Sequence, residues 1–346
     1  MGRKAEVAGR LLLSIETSCD ETSAAVVADG RRILSNIIRS QDEVHAAFGG
    51  VVPELAARGH LEAIAAVVQA ALEVASVGIG DLDAIAVTRG PGLLGCLLVG
   101  VGFAAGLGRT SGLVVVPVNH LHGHVYATFL ESPSLEPPLL AMVVSGAHTD
   151  LVQMKSDHRF EILGRTRDDA AGEAFDKAAR LLGLGYPGGA ALDRLARQGQ
   201  IGAQPLPKPM LPDLEFSFSG LKTALLYRLR DLGLDLRQSP PQPGTEQWRT
   251  AADLAAAFEW AVTESLVDKI EMALRRTGIE RLVIAGGVAA NTRLRWLAAQ
   301  RLGDKAEIHI PTLRLCTDNA AMIGAAAHFQ PPGDSAWVGA DAALNW

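Results

Sequence analysis

Aromatic residues are scarce in this chain: Phe, Trp and Tyr make up 5% of its 346 residues, against 36 glycines. That balance argues against a fold built on aromatic packing. It favours one whose turns bring backbone close to a ligand, a first hint of phosphate or nucleotide binding. Cysteine is as rare. Cys19, Cys96 and Cys316 lie far apart and form no CxxC pair, so neither a disulfide framework nor a thiolate zinc site is supported, and a reducing compartment fits. An export signal is missing as well: MGRKAEVAGR is polar, and the apolar run at 11–13 meets Glu16 before a signal core is complete. A cytoplasmic location is the expectation. Positive charge is not in excess either. With 32 Lys and Arg against 38 Asp and Glu, the net charge of −6 excludes holding nucleic acid by bulk electrostatics, so RNA contact must be local or assisted.

What is present is an ordinary globular composition, 48% hydrophobic and 20% charged, long enough to bury a sizeable core in two domains or one bilobal unit. Residues 90–108 carry no charge, close to the roughly 20 residues needed to span a bilayer. The strand pattern DAIAVT runs straight into that segment through a GPG turn, so a buried helix lying on a sheet is expected, and no membrane.

The chain repeats a plan. Segments 11–28 and 139–154 each read as strand, small polar turn, strand, hairpins whose tips offer N–H groups and hydroxyls. Segments 83–108 and 281–299 each read as buried strand, glycine turn, helix, an order that aims helix N-termini at one end of the strands. Two such halves imply a cleft between lobes. Apolar spacing predicts further helices over 61–77, 169–182, 253–274 and 318–329. The proline-rich segment ESPSLEPP, 131–138, marks the domain boundary.

Several clusters can carry chemistry. In NHLHGH, His120 and His124 stand at i, i+4, which on a helix puts both imidazoles on one face within reach of one metal; a histidine-rich surface turn is the alternative. His122 points elsewhere and is expected to be solvated. Leu121 stands where HExxH requires Glu, so the zinc peptidase motif is absent. The best placed third ligand is Asp318 in CTDNAAM, unless it or Thr317 is a helix N-cap. Asp193 and Asn291 follow the glycine clusters YPGGAALD and AGGVAAN and suit hydroxyl binding or helix capping. Asp176 lies off the apolar stripe of its helix, while Glu173 and Lys177 supply the expected i, i+4 ion pair. Lys222, in FSFSGLKT, is a phosphate candidate or simply exposed.

Taken in order, SIETSCDETSAAVV, GGVVPELAARGH, RGPGLLGCLLVG, NHLHGH, VVSGAHTDL, DDAAGEAFDKAARLLGLGYPGG, FSFSGLKT, AGGVAANTRLR and CTDNAAMIGAA resemble the TsaD family. The resemblance implies an α/β, actin-like ATPase (ASKHA) fold of two RNase H-like lobes with a central cleft. One lobe would span 11–130 and be completed by a helix at 318–330; the other would span 139–317 with helical insertions. It implies transfer of threonylcarbamoyl from threonylcarbamoyl-AMP to N6 of adenosine 37 in tRNAs reading ANN codons, with partner proteins of the TsaB and TsaE type. His120, His124 and Asp318 would bind one divalent metal, Fe(II) first, zinc or magnesium otherwise. Val143, Val144, Ser145, Gly146, Ala147, Asp176, Gly189, Asp193 and Asn291 would line the substrate site. Asp20 and Glu21 would lie near nucleotide phosphates.

Two positions depart from the family pattern. Ala147 stands where the second glycine of SGGHT is usual, and His122 stands where bacterial members commonly have Glu. The expected chemistry needs no covalent enzyme intermediate, because AMP is a good leaving group: the metal acts as a Lewis acid, the N–H groups of 143–147 hold developing charge, and Asp20 is the candidate base. Fold resemblance leaves two other classes open, an ATP-dependent small-molecule kinase and an Hsp70-like ATPase.

Overall fold

The computed structural model describes residues 9–330, 339–343 and 346. Contacts divide the chain into two compact units, one ending at Glu136 and resuming at Pro311, the other running from Pro137 to Ile310.

The first unit opens with β1 (Leu11–Glu16), β2 (Glu21–Ala28) and β3 (Arg32–Ser40), then α1 (Asp42–Ala46), α2 (Pro53–Ala75), β4 (Ala84–Gly90), α3 (Leu94–Ser111), β5 (Val114–Asn119) and α4 (His120–Ala127). Its sheet has the order β3-β2-β1-β4-β5. β1 and β2 form the expected hairpin, Leu11 opposite Ala28 and Glu16 opposite Ser23, whereas β4 and β5 join in parallel. β1 is buried along its whole length, which is why it reads as an unbroken apolar run ending in one acid. Leu11, Leu13 and Ile15 face a cluster filled by Ile64, Val67 and Val68 of α2 and Val101 and Ala104 of α3.

The second unit repeats the scheme with β6 (Leu139–Val144), β7 (Thr149–Met154), β8 (Phe160–Arg165), α5 (Ala171–Leu181), α6 (Gly188–Ala196), α7 (Ser219–Asp231), α8 (Glu246–Thr277), β9 (Arg281–Ala285), α9 (Thr292–Leu302) and β10 (Glu307–His309). Its order, β10-β9-β6-β7-β8, is that of the first sheet read from the other edge. The pairing also matches: β6–β7 and β7–β8 are antiparallel, β6–β9 and β9–β10 parallel. The chain then returns to the first unit with α10 (Leu313–Cys316) and α11 (Ala320–Phe329).

α11 lies on the face of the first sheet opposite α2. Gly324 permits this, since a Cβ there would stand 2.8 Å from Val27 Cγ2 and 2.9 Å from Ser14 Oγ. Among the described residues α2 and α3 are long and apolar enough to cross a bilayer; both set apolar residues into the core of the first sheet.

Helix ends differ from the spacing-based limits where caps decide them. α2 starts at Pro53 because proline suits the first helical position. α8 starts earlier than 253, since the Thr245 hydroxyl caps the Trp248 N–H, and it stops where Gly278 turns left-handed. α11 starts at Ala320 because Asn319 is its N-cap, accepting from the Met322 N–H. Capping by Thr317 or Asp318, the alternative left open by the sequence, is thereby excluded.

Candidate functional site

In the first unit, β5 runs straight into α4 because Asn119 at the junction accepts the Leu121 N–H through its side chain at 2.9 Å. The i, i+4 spacing then brings the rings of His120 and His124 together, centroids 4.7 Å apart. Asp318, in the connection between α10 and α11, places Oδ1 3.5 Å from His120 Nε2 and 3.3 Å from His124 Nε2. One ligand atom from each of the three residues falls within 4.8 Å of the others. His124 is fully buried, and among the described residues neither of its ring nitrogens has a hydrogen-bond partner. An orphaned buried imidazole is costly, and a cation bound by two imidazoles and a carboxylate would satisfy it.

Sequence reasoning missed Glu16, which completes this group. It is fully buried at the end of β1, and its Oε2 lies 3.1 Å from His120 Nδ1 and accepts from the Thr88 hydroxyl. Its other oxygen accepts the Ser18 N–H. A carboxylate behind a histidine fixes the ring and its tautomer, the usual support of a metal-binding imidazole. Burial pushes the Glu16 carboxyl upward, yet the adjoining His120 ring and its hydrogen bond hold it below the usual carboxylate range. Burial would keep His120 neutral, but the charges of Asp318 and Glu16 raise it to about 9. The signal available in the sequence was an acid closing an apolar strand, LLLSIE.

His122 is not the solvated residue expected. It is half-buried and stacks on Trp346 at a centroid distance of 5.5 Å, and burial lowers it to about 4. Asp20 and Glu21 meet Asp42, with one oxygen of each within 4.8 Å of the others. Burial, then the nearby Asp318 and Asp20, drive Glu21 up to about 10. Side chains in so acidic a corner repel a phosphate unless a cation lies between.

In the second unit, the β6–β7 tip is more closed than expected. Val143 and Val144 are fully buried and pair with Asp150 and Thr149 in the ladder. The Ser145 N–H donates to the His148 carbonyl, and the His148 N–H donates back to Ser145 Oγ. Gly146 and Ala147 are exposed, and no described group accepts their N–H. Of the run 143–147, those two amides are the ones left open among the described residues. Ala147 is not among the described residues with left-handed backbone, so its methyl group introduces no strain. The Gly172 N–H donates to Ser145 O, tying α5 to the tip.

Asp176, half-buried on α5, accepts the N–H groups of Gly188 and Gly189 at 2.9 and 3.2 Å and so fixes the start of α6. The Glu173–Lys177 pair forms as expected at 2.9 Å, and Lys177 also holds Asp169. Asp193 and Asn291 converge. Asp193 Oδ1 accepts from the Thr292 N–H and hydroxyl and lies 3.3 Å from Asn291 Nδ2, while Oδ2 pairs with Arg197 at 2.6 Å. Asn291 is also the N-cap of α9. A second missed carboxyl, Glu259 of α8, accepts from Asn291 Nδ2 at 2.7 Å. Beside this network opens a cavity of about 410 Å³, lined among others by Arg197, Ile201, Glu259, Thr292, Arg293 and Trp296. The Arg293 guanidinium sits 5.8 Å from the Trp296 ring centre. Lys222 lies in the first turn of α7, half-buried; the turn before it is held by Asp168, which accepts from Ser217 Oγ and from the Phe218 and Ser219 N–H groups.

Known proteins carry the same plan. The crystal structure of full-length HypF in its phosphate- and nucleotide-bound form matches with a TM-score of 0.60 over 92% of this chain and 55% of that one, at 14% identity. At that identity the likeness concerns the fold alone, which is of the actin-like ATPase type. Sequence relatives go further. The tRNA N6-adenosine threonylcarbamoyltransferase of Trichlorobacter lovleyi is 51% identical, covering 97% of this chain and 96% of its own. The enzyme of the same name from Syntrophotalea carbinolica is 48% identical with the same coverage. The family pattern described as "TsaD: tRNA N6-adenosine threonylcarbamoyltransferase" matches residues 32–325, a span that includes both histidines of α4, the Asp193–Asn291 junction and Asp318. With a match that spans both units and relatives about half identical from end to end, this chain belongs to the TsaD family.

Proposed function

We infer that this chain transfers a threonylcarbamoyl group to N6 of adenosine in tRNA, forming N6-threonylcarbamoyladenosine. The observation that carries this reading is the family match over residues 32–325 together with near-full-length relatives bearing that activity in their names. The donor is threonylcarbamoyl-AMP and the acceptor is adenosine 37 of tRNAs that read ANN codons. The N6 amine attacks the carbamoyl carbon, the bond to the AMP phosphate oxygen breaks, and the N6 proton leaves to a base, for which Asp20 is the candidate. AMP is a good leaving group, so orientation and charge stabilisation suffice.

His120, His124 and Asp318 hold one divalent cation, Fe(II) in this reading with zinc or magnesium as the alternatives. The chemistry of the donors suits the first two, and the orphaned nitrogens of His124 support occupancy. When bound, such a cation supplies Lewis acidity. Glu16 keeps His120 oriented towards it. The exposed amides of Gly146 and Ala147 receive the negative charge that develops on the acyl oxygen. Asp176 and Gly189 shape the turn that borders the ligand. The cavity beside Asp193 takes the adenosine of the donor: Trp296 and the guanidinium groups of Arg197 and Arg293 offer faces for a base, while Asp193 and Asn291, joined to its lining residues Thr292 and Glu259, meet the ribose hydroxyls.

The acidic net charge makes this chain a poor carrier of tRNA on its own, and proteins of the TsaB and TsaE type supply what it lacks. The reaction belongs in the cytoplasm, where a chain with three cysteines and no CxxC pair stays reduced. The reading is tested by incubating the purified chain and those partners with threonylcarbamoyl-AMP and unmodified tRNA and analysing the nucleosides. Modified adenosine is expected with the native chain, and none above background with His120→Ala plus His124→Ala. Undiminished product from the double variant would remove the cation from the mechanism.

A further inference from the structure

Glu259 is 4% exposed and sits in the middle of α8, a helix otherwise buried through Ala, Val and Leu at this depth. A carboxyl in such a place is costly unless something uses it. Its recorded hydrogen bond comes from Asn291 Nδ2 at 2.7 Å. The same Nδ2 lies 3.3 Å from Asp193 Oδ1, and the amide oxygen accepts the Leu294 N–H at 2.8 Å.

Two carboxyl groups therefore claim the nitrogen end of one amide, and a backbone donor claims its oxygen end. Reversing the amide would set its oxygen against Glu259 and Asp193 and its NH2 against an N–H. Capping of α9 needs the amide oxygen alone, so the helix does not require Glu259. The carboxyl also lines the cavity beside this junction. Burial, opposed by the Asn291 hydrogen bond and aided by the charge and hydrogen bonding of Asp193, moves Glu259 up to about 7, so near neutral pH it is ionised only in part.

We propose that Glu259 is a positioning residue of the adenosine cavity: it fixes the Asn291 amide, and through it the Asp193 carboxylate, in the orientation that receives the ribose hydroxyls of the donor. The inference rests on the reading that this cavity takes the donor's adenosine. Glu259 touches no reacting atom and acts on binding rather than on the chemical step.

The test is calorimetric titration of the full chain with AMP, together with donor KM and kcat in the complete reaction. Glu259→Ala should weaken AMP about tenfold and raise KM similarly with kcat little changed, the loss of one buried hydrogen-bonded contact. Glu259→Gln should stay within about twofold, because its amide oxygen accepts the same Asn291 N–H. The double variant Glu259→Ala plus Asn291→Ala should bind no more weakly than Asn291→Ala alone. If Glu259→Ala does not fold, Glu259→Asp, which draws the carboxyl back by one methylene, makes the same comparison. Native-like AMP binding and KM in the Ala or Asp variant, or additive losses in the double variant, would overturn the inference and leave the cavity reading intact. Failure of the native chain to bind AMP would overturn both.

Discussion

The His124 ring sits fully buried on α4 with both nitrogens lacking a hydrogen-bond partner among the described residues, an arrangement that costs a few kcal/mol unless a cation takes the lone pair. Metal analysis of freshly purified protein should therefore find about one transition-metal ion per chain, falling to a small fraction in His124→Ala or Asp318→Ala, since two donors bind far more weakly than three. Equal metal content in all three proteins would disprove the site. Glu259 gives a second prediction. Its carboxyl is raised from 4.5 to about 7 in the folded state, so its contribution to stability is complete below about pH 4.5 and is lost as pH rises through about 7. At 1.36 kcal/mol per unit, native protein should lose up to about 3 kcal/mol over that window. Glu259→Gln should show no such loss, and the difference between the two melting curves should be flat above about pH 7.5. Parallel curves would mean that burial does not shift this group. His120 and His124 were legible because a four-residue spacing on a helix dictates a shared face. Glu16 and Glu259 were not: nothing in a linear sequence tells which acid at a strand end or on a long helix will be folded into the core beside a histidine or an amide.

At the scale of elements, glycine positions separate close packing from open space. A Cβ on Gly188 would stand 2.5 Å from Ala179 Cβ and 3.0 Å from the Asp176 Cα, whereas one on Gly189 would meet nothing within 4 Å. Gly188→Ala should force α6 away from α5 and destabilise by about 1–3 kcal/mol. Gly189→Ala should cost well under that in thermal melts, so equal losses would show that the close approach of the two helices is not what demands glycine. Asn119 decides how α4 begins: Asn119→Ala should cost about 1 kcal/mol and weaken metal retention, because His120 is the first residue the cap organises. Unchanged metal content in that variant would separate the cap from the site. The helices were visible from apolar spacing, but their ends were not, since Pro53, Thr245 and Asn319 act through cap geometry that spacing does not report. The closed turn at Ser145 was missed for a similar reason. Small polar residues at a hairpin tip look like open donors until the turn's own hydrogen bonds are counted.

For the whole molecule, the legible feature was repetition. Two hairpins and two strand–turn–helix segments anticipated two sheets with the same strand order and the same pattern of antiparallel and parallel pairing. The return of the chain after Ile310 to the first unit, which carries Asp318 to the histidines of α4, is expected from the family resemblance and not from periodicity, because long-range closure leaves no periodic trace. Fold and family lead to one claim, that this chain moves a threonylcarbamoyl group onto tRNA. The most direct measurement follows an isotopic label: threonylcarbamoyl-AMP with 13C in its carbamoyl carbon, incubated with the native chain, its partners and unmodified tRNA, followed by mass spectrometry of the digested nucleosides. The label should appear in N6-threonylcarbamoyladenosine in proportion to the AMP released. Release of AMP with no labelled nucleoside, or no release at all in the complete mixture, would contradict the assignment.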